Sequence, residues 1–148
     1  MSPEEAREAA LHYLRRYAVT RWELARWLQR KGVARTTIHE VIRVLQQWGY
    51  IRDRWVLEQR IAAAQRKLWS RRRTYRDLRR RGIPARIARR AVHRWYPAET
   101  EWTVFQRWWV QHAKDPRARL RRRMRQAGFP SRYWHMITQR VPGDADQP

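Results

Sequence analysis

The sequence predicts an all-α protein built from three tandem three-helix modules in an extended, curved arrangement. The first observation is a pattern that occurs three times: an apolar residue, three mostly polar residues, a glycine and another apolar residue. The copies are Leu28–Val33, Leu78–Ile83 and Met124–Phe129, offset by 50 and 46 residues. A period in this range is typical of stacked helical repeats. We therefore place modules at residues 1–50, 51–97 and 98–141, and predict a flexible tail over 142–148.

The second observation is helical spacing of apolar residues around each glycine, beginning with the first module. A long helix is predicted over about residues 3–17. The next helix starts at the capping box Thr20-Arg-Trp-Glu23 and ends at Gly32, because glycine readily takes the left-handed conformation that closes helices. The helix after it stops at Gly49, and its apolar stripe consists of Ile38, Val41, Ile42 and Leu45.

The second and third modules repeat this order. Helices are predicted over about 53–70, 73–81 and 99–114, and the sixth helix ends before Pro97. The apolar stripe of the long middle helix consists of Leu57, Ile61, Ala64 and Leu68. Asp115 and Pro116 are predicted to be the cap and first residue of the eighth helix, because proline is favoured at the first helical position. Ser131 is predicted to cap the ninth.

The net charge of the chain is +22, from 35 basic and 13 acidic side chains. Such a charge repels itself within a folded chain, and a polyanion relieves the repulsion. The middle module has 16 basic and 3 acidic side chains, so it carries +13, against +4 and +5 for its neighbours. The charge therefore predicts an anionic partner, with binding that weakens steeply as salt rises.

The candidate binding residues are mostly arginines of the middle module. At about 100° per residue, Arg72, Arg73 and Arg76 lie opposite Leu78 and form an outward ridge that continues to Arg80. The full set is Trp69, Arg71, Arg72, Arg73, Arg76, Arg79, Arg80, Arg121, Arg122 and Arg125. The alternative is a solvated basic face that only keeps the protein soluble, which acidic residues would do better.

Ten tryptophans are many for 148 residues. They could stack on bases, as in proteins that bind single strands. We favour packing at helix interfaces, because most of these positions continue an apolar stripe. Trp69, next to the arginines that follow it, is the exception.

A helix-turn-helix interpretation competes for residues 20–48, where two short helices meet at a glycine. The residues available to read bases are Arg35, Thr36, Thr37 and His39. Recognition helices carry such side chains near their start. Against this interpretation, the most basic copy of the repeat has its ridge on the preceding helix.

Catalytic chemistry finds little support in the sequence. The five histidines are dispersed, and phosphate-binding glycine loops and nucleophile elbows are absent. Without cysteine there is no disulfide or thiolate metal site. We predict a cytoplasmic monomer with no catalytic residue, metal or cofactor, and no membrane span, since no run of about 18 apolar residues occurs.

Three motifs in series carry a family resemblance. They are Thr20-Arg-Trp-Glu-Leu24 with Leu28-Gln-Arg-Lys-Gly32, Leu45-Gln-Gln-Trp-Gly-Tyr-Ile-Arg-Asp53, and Leu78-Arg-Arg-Arg-Gly-Ile83. Over about residues 8–141 the chain resembles RecX, the family that regulates the bacterial recombinase RecA. It departs from the family at Arg52, where an acid is usual. It also lacks the glycine common between the first two helices of the second module, where Trp69–Arg73 stands.

The resemblance implies a non-catalytic and negative modulator. RecX-like proteins lie in the groove of the RecA filament on single-stranded DNA and bridge successive protomers. They limit filament growth, ATP hydrolysis and strand exchange, and so regulate DNA repair, recombination and the SOS response. Double-stranded DNA is a second possible contact. The alternative is a free-standing DNA- or RNA-binding protein of helix-turn-helix type.

Overall fold

The computed structural model describes residues 1–140, which form nine α-helices and no strand. The helices are α1 Pro3–Arg16, α2 Arg21–Arg30, α3 Arg35–Gln47, α4 Asp53–Arg66, α5 Arg71–Arg80, α6 Ala85–Trp95, α7 Ala98–His112, α8 Arg117–Ala127 and α9 Arg132–Arg140. Each trio opens with its longest helix, of 14, 14 and 15 residues. The predicted all-α class and repeated three-helix order are confirmed. The predicted tail over 142–148 lies outside the described residues.

The chain divides into two compact units. Unit 1 comprises Met1–Arg60 and Leu78–Ala88, and unit 2 comprises Ile61–Asp77 and the described part of Arg89–Pro148. Each of the three helices α4, α5 and α6 therefore has residues in both units.

The core of unit 1 is aliphatic and closely packed. Ala6 and Ala10 of α1 are completely buried, as are Leu24, Leu28 and Leu45 of the next two helices. Fully burying a leucine side chain stabilises a fold by about 1.5–3 kcal/mol. The two alanines leave room for α3 to pack closely against α1. The predicted stripe of α3 thus belongs to this core, with Ile42 partly buried against it.

The core of unit 2 contains a cluster of aromatic rings among its aliphatic residues. The fully buried ring of Phe105 lies 5.2 Å from the Phe129 ring, 5.3 Å from Tyr133 and 5.9 Å from Trp108, measured between centroids. Such pairs add about 0.5–1.5 kcal/mol beyond area burial. Trp108 is itself buried, so the packing interpretation is confirmed for this tryptophan.

The predicted end of α4 at residue 70 is wrong. The helix ends at Arg66, and Leu68 takes a left-handed φ of 60°. The Trp69 N–H then donates to the Ala64 carbonyl at 3.0 Å, and Ser70 Oγ accepts from the Arg73 N–H at 3.1 Å. Ser70 therefore caps α5, which begins two residues earlier than predicted. A leucine takes the place of the missing glycine, although a bulky residue rarely adopts positive φ.

The predicted start of α8 is also wrong. Pro116 is the cap residue, the helix begins at Arg117, and the cap makes no side-chain hydrogen bond. Asp115 pairs instead with Arg123, at 3.1 Å between Nη1 and Oδ2. The carboxylate that was expected to cap the helix thus forms an ion pair with a residue further along it.

The three repeated glycines end their helices as predicted. Gly32, Gly82 and Gly128 have φ of 81°, 91° and 85°. The apolar residue after each glycine is buried, and the Ile83 N–H reaches back to the Leu78 carbonyl at 3.2 Å. The repeated sequence pattern therefore encodes a helix stop with an apolar residue folded back onto the last turn.

Candidate anion-binding site

The outward face of α5 carries the arginines that its register predicts. Arg72, Arg73, Arg76, Arg79 and Arg80 are exposed, whereas Thr74 and Leu78 on the opposite face are buried. Arg72, Arg73 and Arg76 belong to unit 2, whereas Arg79 and Arg80 belong to unit 1. The outward orientation is confirmed, and whether these side chains bind a ligand stays a prediction.

Arg71 is half-buried, unlike the other candidate arginines, and hydrogen bonds hold it inside unit 2. Its Nε donates to the Tyr96 carbonyl at 2.7 Å, and its backbone N–H donates to Glu101 Oε2 at 2.8 Å. Glu101 is only 2% exposed and also accepts from the Tyr133 hydroxyl at 2.9 Å. Burial, together with the hydrogen bond to Glu101, raises the pKa of Tyr133 to about 12. The position of Arg71 is thus explained by packing.

Arg72 and Arg125 line one cleft of about 490 Å³ in unit 2. Arg72 comes from the first turn of α5 and Arg125 from the last turn of α8, so the fold brings together candidates from different predicted modules. The complete lining is Arg71, Arg72, Glu101, Arg125, Gly128, Phe129, Pro130 and Ser131. Guanidinium groups hold phosphate and carboxylate through paired N–H donors. The cleft therefore has the chemistry of an anion site.

Close approach of backbone at Gly128 forms one end of this cleft. A Cβ atom at Gly128 would lie 2.9 Å from Ser70 Oγ and 3.6 Å from Arg72 Cβ. Ser70 Oγ donates to the neighbouring Ala127 carbonyl at 2.7 Å. A side chain at position 128 would displace the residues that hold Arg72 beside the end of α8.

Trp69 is half-buried, and cations lie over its ring. The Arg73 guanidinium carbon is 4.3 Å and the Lys67 ammonium 5.0 Å from the ring centroid. The Tyr96 hydroxyl donates to the Trp69 carbonyl at 2.7 Å, which anchors this residue. A base that stacks on Trp69 would first have to compete with these cations.

The remaining candidates lie on α8 and at the end of α5. Arg121 and Arg122 are exposed, with Leu120 buried on the opposite face. The Arg121 guanidinium lies 5.6 Å from the Trp134 ring centroid. Arg79 Nη1 donates to the Ile83 carbonyl at 3.0 Å, and the Arg80 carbonyl accepts a bond from the Arg26 guanidinium. Arg79 thus supports the Gly82 turn besides being exposed.

The sequence interpretation missed a group of exposed aromatic residues in unit 1. Tyr17, Tyr50 and Trp55 line one groove, and Trp48 is exposed as well. The sequence did indicate an exposed Trp55, because this residue stands two positions before Leu57 and hence off the apolar stripe of α4. It was missed because we expected the tryptophans to pack at helix interfaces.

Within residues 1–140, every helix is too short or too polar to span a bilayer. The same residues bring together no three histidine, aspartate or glutamate side chains that could hold a metal ion.

Comparisons with known proteins agree with this architecture. Residues 6–50 match the model of the first three-helix domain of RecX. The regulatory protein RecX of Caldanaerobacter subterraneus subsp. tengcongensis is 30% identical over 98 residues, which are 66% of this chain and 50% of that protein. This chain thus spans about half the length of that relative.

Two solved structures share the fold. The crystal structure of RecX from Lactobacillus salivarius matches 95% of this chain and 96% of its own, with a TM-score of 0.74 and 20% identity. A second crystal structure, of the regulatory protein RecX, matches 93% of this chain and 71% of its own, with a TM-score of 0.74 and 16% identity. The domain match thus covers the first part of this chain, the relative is similar to about two thirds of it, and the two solved structures share its all-α fold.

Proposed function

We propose that this chain is a non-catalytic, negative modulator of RecA that binds the RecA filament on single-stranded DNA. In this role it limits filament growth, ATP hydrolysis and strand exchange, and so regulates DNA repair and recombination. The similarity to regulatory protein RecX supports the regulatory role. The observation that carries the proposal is the cleft in unit 2 that Arg72 and Arg125 line together.

The charges around this cleft favour an anion. Its one lining carboxylate, Glu101, already accepts from the Arg71 N–H and the Tyr133 hydroxyl. It is therefore a poor partner for the guanidinium groups of Arg72 and Arg125. These two arginines are exposed, so a phosphate can reach them. Each phosphate that they neutralise releases counterions from the DNA, which makes binding dependent on salt.

The three predicted modules, at residues 1–50, 51–97 and 98–141, fit this role as successive contact units on a repeating partner. Repeat proteins use rows of small units to cover extended surfaces. We propose that a single chain acts as a monomer and contacts more than one filament protomer, with the second module supplying most of the attraction. The charge of +13 in that module supports this assignment.

The test is the rate of ATP hydrolysis by RecA on single-stranded DNA as the purified chain is added. We expect the wild-type chain to lower this rate, and the double variant Arg72→Asp, Arg125→Asp to lose most of the inhibition. Charge reversal of Arg117 and Arg119 on the same helix, α8, is the matched control, because both are exposed and neither lines the cleft. The control should inhibit like the wild type.

Two results would contradict the proposal. If the cleft variant inhibits as well as the control, the site is wrong. If the wild-type chain binds bare DNA tightly at physiological salt and leaves RecA unaffected, the free-standing nucleic-acid-binding alternative is favoured.

A further inference from the structure

Unit 1 contains a groove of about 340 Å³ with an aromatic surface that the proposed function does not use. The end of α1, the α3–α4 connection and the start of α4 form it. Tyr17, Tyr50 and Trp55 line it and are 49%, 47% and 45% exposed. Its deeper part includes the buried side chains of Val19 and Val56. Large rings this exposed on one groove are typical of a binding surface.

The groove is basic as well as aromatic. Arg15 and Arg52 line it, and none of its described lining residues is acidic. The Arg52 guanidinium carbon lies 5.2 Å from the Trp55 ring centroid, so a base that stacks on the same face of the ring must displace this one cation, against two cations at Trp69. Asp53, the acid adjacent in sequence, accepts from the Arg21 N–H at 2.8 Å and so is engaged elsewhere in unit 1. A ligand that fits this groove carries negative charge and flat apolar faces.

Single-stranded nucleic acid has both properties. Its unpaired bases can stack on Tyr50 and Trp55 while its phosphates meet Arg15 and Arg52. A duplex keeps its base faces stacked within the helix, and an acidic peptide would use the arginines but not the rings. We propose that this groove binds unpaired nucleotides of single-stranded DNA or RNA by base stacking. This goes beyond the proposed function, because it assigns a nucleic-acid contact to unit 1 that needs no recombinase.

The first experiment measures binding of a fluorescent oligothymidine to the full chain by anisotropy, without RecA. We expect Trp55→Ala to weaken binding about tenfold, because one stacked base is lost. Trp55→Phe keeps a ring and should retain most of the affinity. Trp48→Ala is the matched control: Trp48 is exposed, lies outside the groove, and has the Arg7 guanidinium 5.6 Å from its ring. It should stay within about twofold of the wild type.

The second experiment uses only the wild-type chain, so it does not depend on how a variant folds. An oligonucleotide of equal length with abasic positions keeps every phosphate but offers no base to stack. We expect it to bind about tenfold more weakly than oligothymidine. Equal binding of the two strands would overturn the proposal, since charge alone would then account for it.

A third measurement separates DNA from an acidic partner. If Trp55→Ala weakens binding of polyglutamate as much as binding of oligothymidine, the groove is a site for acidic protein and the proposal is overturned. For the stacking site we expect Arg52→Ala to reduce the salt slope of oligothymidine binding by about one, with polyglutamate insensitive to Trp55. RecA is absent throughout, so these outcomes are independent of the ATPase test at Arg72 and Arg125.

Discussion

The α2–α3 surface of unit 1 and the α8–α9 surface of unit 2 correspond in the sequence repeat and differ in the volume of the groove between their helices. When Gly32 is aligned with Gly128, Ala25 corresponds to Arg121 and Ile38 to Trp134. The first surface is an open groove of about 940 Å³, and the second leaves about 80 Å³. Trp134, with Arg121 over its ring, fills the second. Equivalent helices thus present different surfaces, and the side chains at these two aligned positions are larger where the groove is smaller.

The junctions between consecutive predicted modules also differ. In unit 1 the Arg21 N–H donates to Asp53 at 2.8 Å, and in unit 2 the Arg71 N–H donates to Glu101 at the same distance. In both cases an acid near the start of the next long helix caps a short helix. Each acid has a second partner as well: Asp53, whose side chain is 12% exposed, accepts from the Arg21 guanidinium, and Glu101, which is 2% exposed, accepts from the Tyr133 hydroxyl. The second junction has less access to water, so its loss should cost more.

The largest expected effect separates these two caps. Glu101→Ala should lower the free energy of unfolding by about 3 kcal/mol, because it leaves two buried donors, on Arg71 and Tyr133, without a partner. Asp53→Ala should cost about 1 kcal/mol, the usual value of a helix cap. Urea unfolding measures both. Equal losses would mean that burial does not distinguish the junctions.

Glycine substitutions give a smaller effect with a built-in control. Gly32→Val should cost about 1 kcal/mol from left-handed strain alone, since its position has open space around it. Gly128→Val should cost about 2 kcal/mol or more, because its Cβ would meet Ser70 Oγ at 2.9 Å. At Gly82 the near atom is the flexible end of Arg26, so an intermediate cost is expected. Thermal melts rank the three, and a Gly32 variant as unstable as the Gly128 variant would contradict the role of close packing.

The smallest effect is a pH dependence specific to unit 2. The pKa of Tyr133 is raised to about 12 in the folded chain, above its value of about 10 in an unfolded chain. The neutral phenol therefore contributes its full share of the folding free energy below about pH 10, and this contribution is lost as the pH rises to about 12. Tyr133→Phe should flatten the fall of melting temperature over this range. Tyr17→Phe, at an exposed ring, controls for loss of a hydroxyl, and an identical slope in both variants would argue against Tyr133 as the cause.

Most helices of the fold could be predicted because their signals are local. The capping box at Thr20 is formed, with Thr20 Oγ1 accepting from the Glu23 N–H and Glu23 accepting from the Thr20 N–H. The outward orientation of Arg72 and Arg76 follows from helical register alone. The two wrong helix boundaries lie where other interactions determine the backbone. Leu68 takes a positive φ after the end of α4, and Asp115 forms an ion pair with Arg123 instead of capping α8.

The candidate site could be predicted only in part, for a related reason. Helical spacing identifies exposed arginines on α5 and α8, but it cannot show that Arg72 and Arg125 line one cleft. That pairing depends on the close approach of Ser70 to the Ala127–Gly128 backbone. Helical spacing cannot predict such a contact between residues far apart in sequence. The inward position of Arg71 was missed as well, because it requires Tyr96 and Glu101 from later helices.

The sequence by itself determined the all-α class, the three glycine stops and the excess of arginine in the middle of the chain. These follow from interactions within one or two helical turns and from composition. Tertiary structure alone decided which arginines share a cleft, which acid is buried at a junction and which aromatic rings face solvent. Those outcomes depend on packing between residues far apart in sequence, where the size of one side chain opens or fills the space beside another.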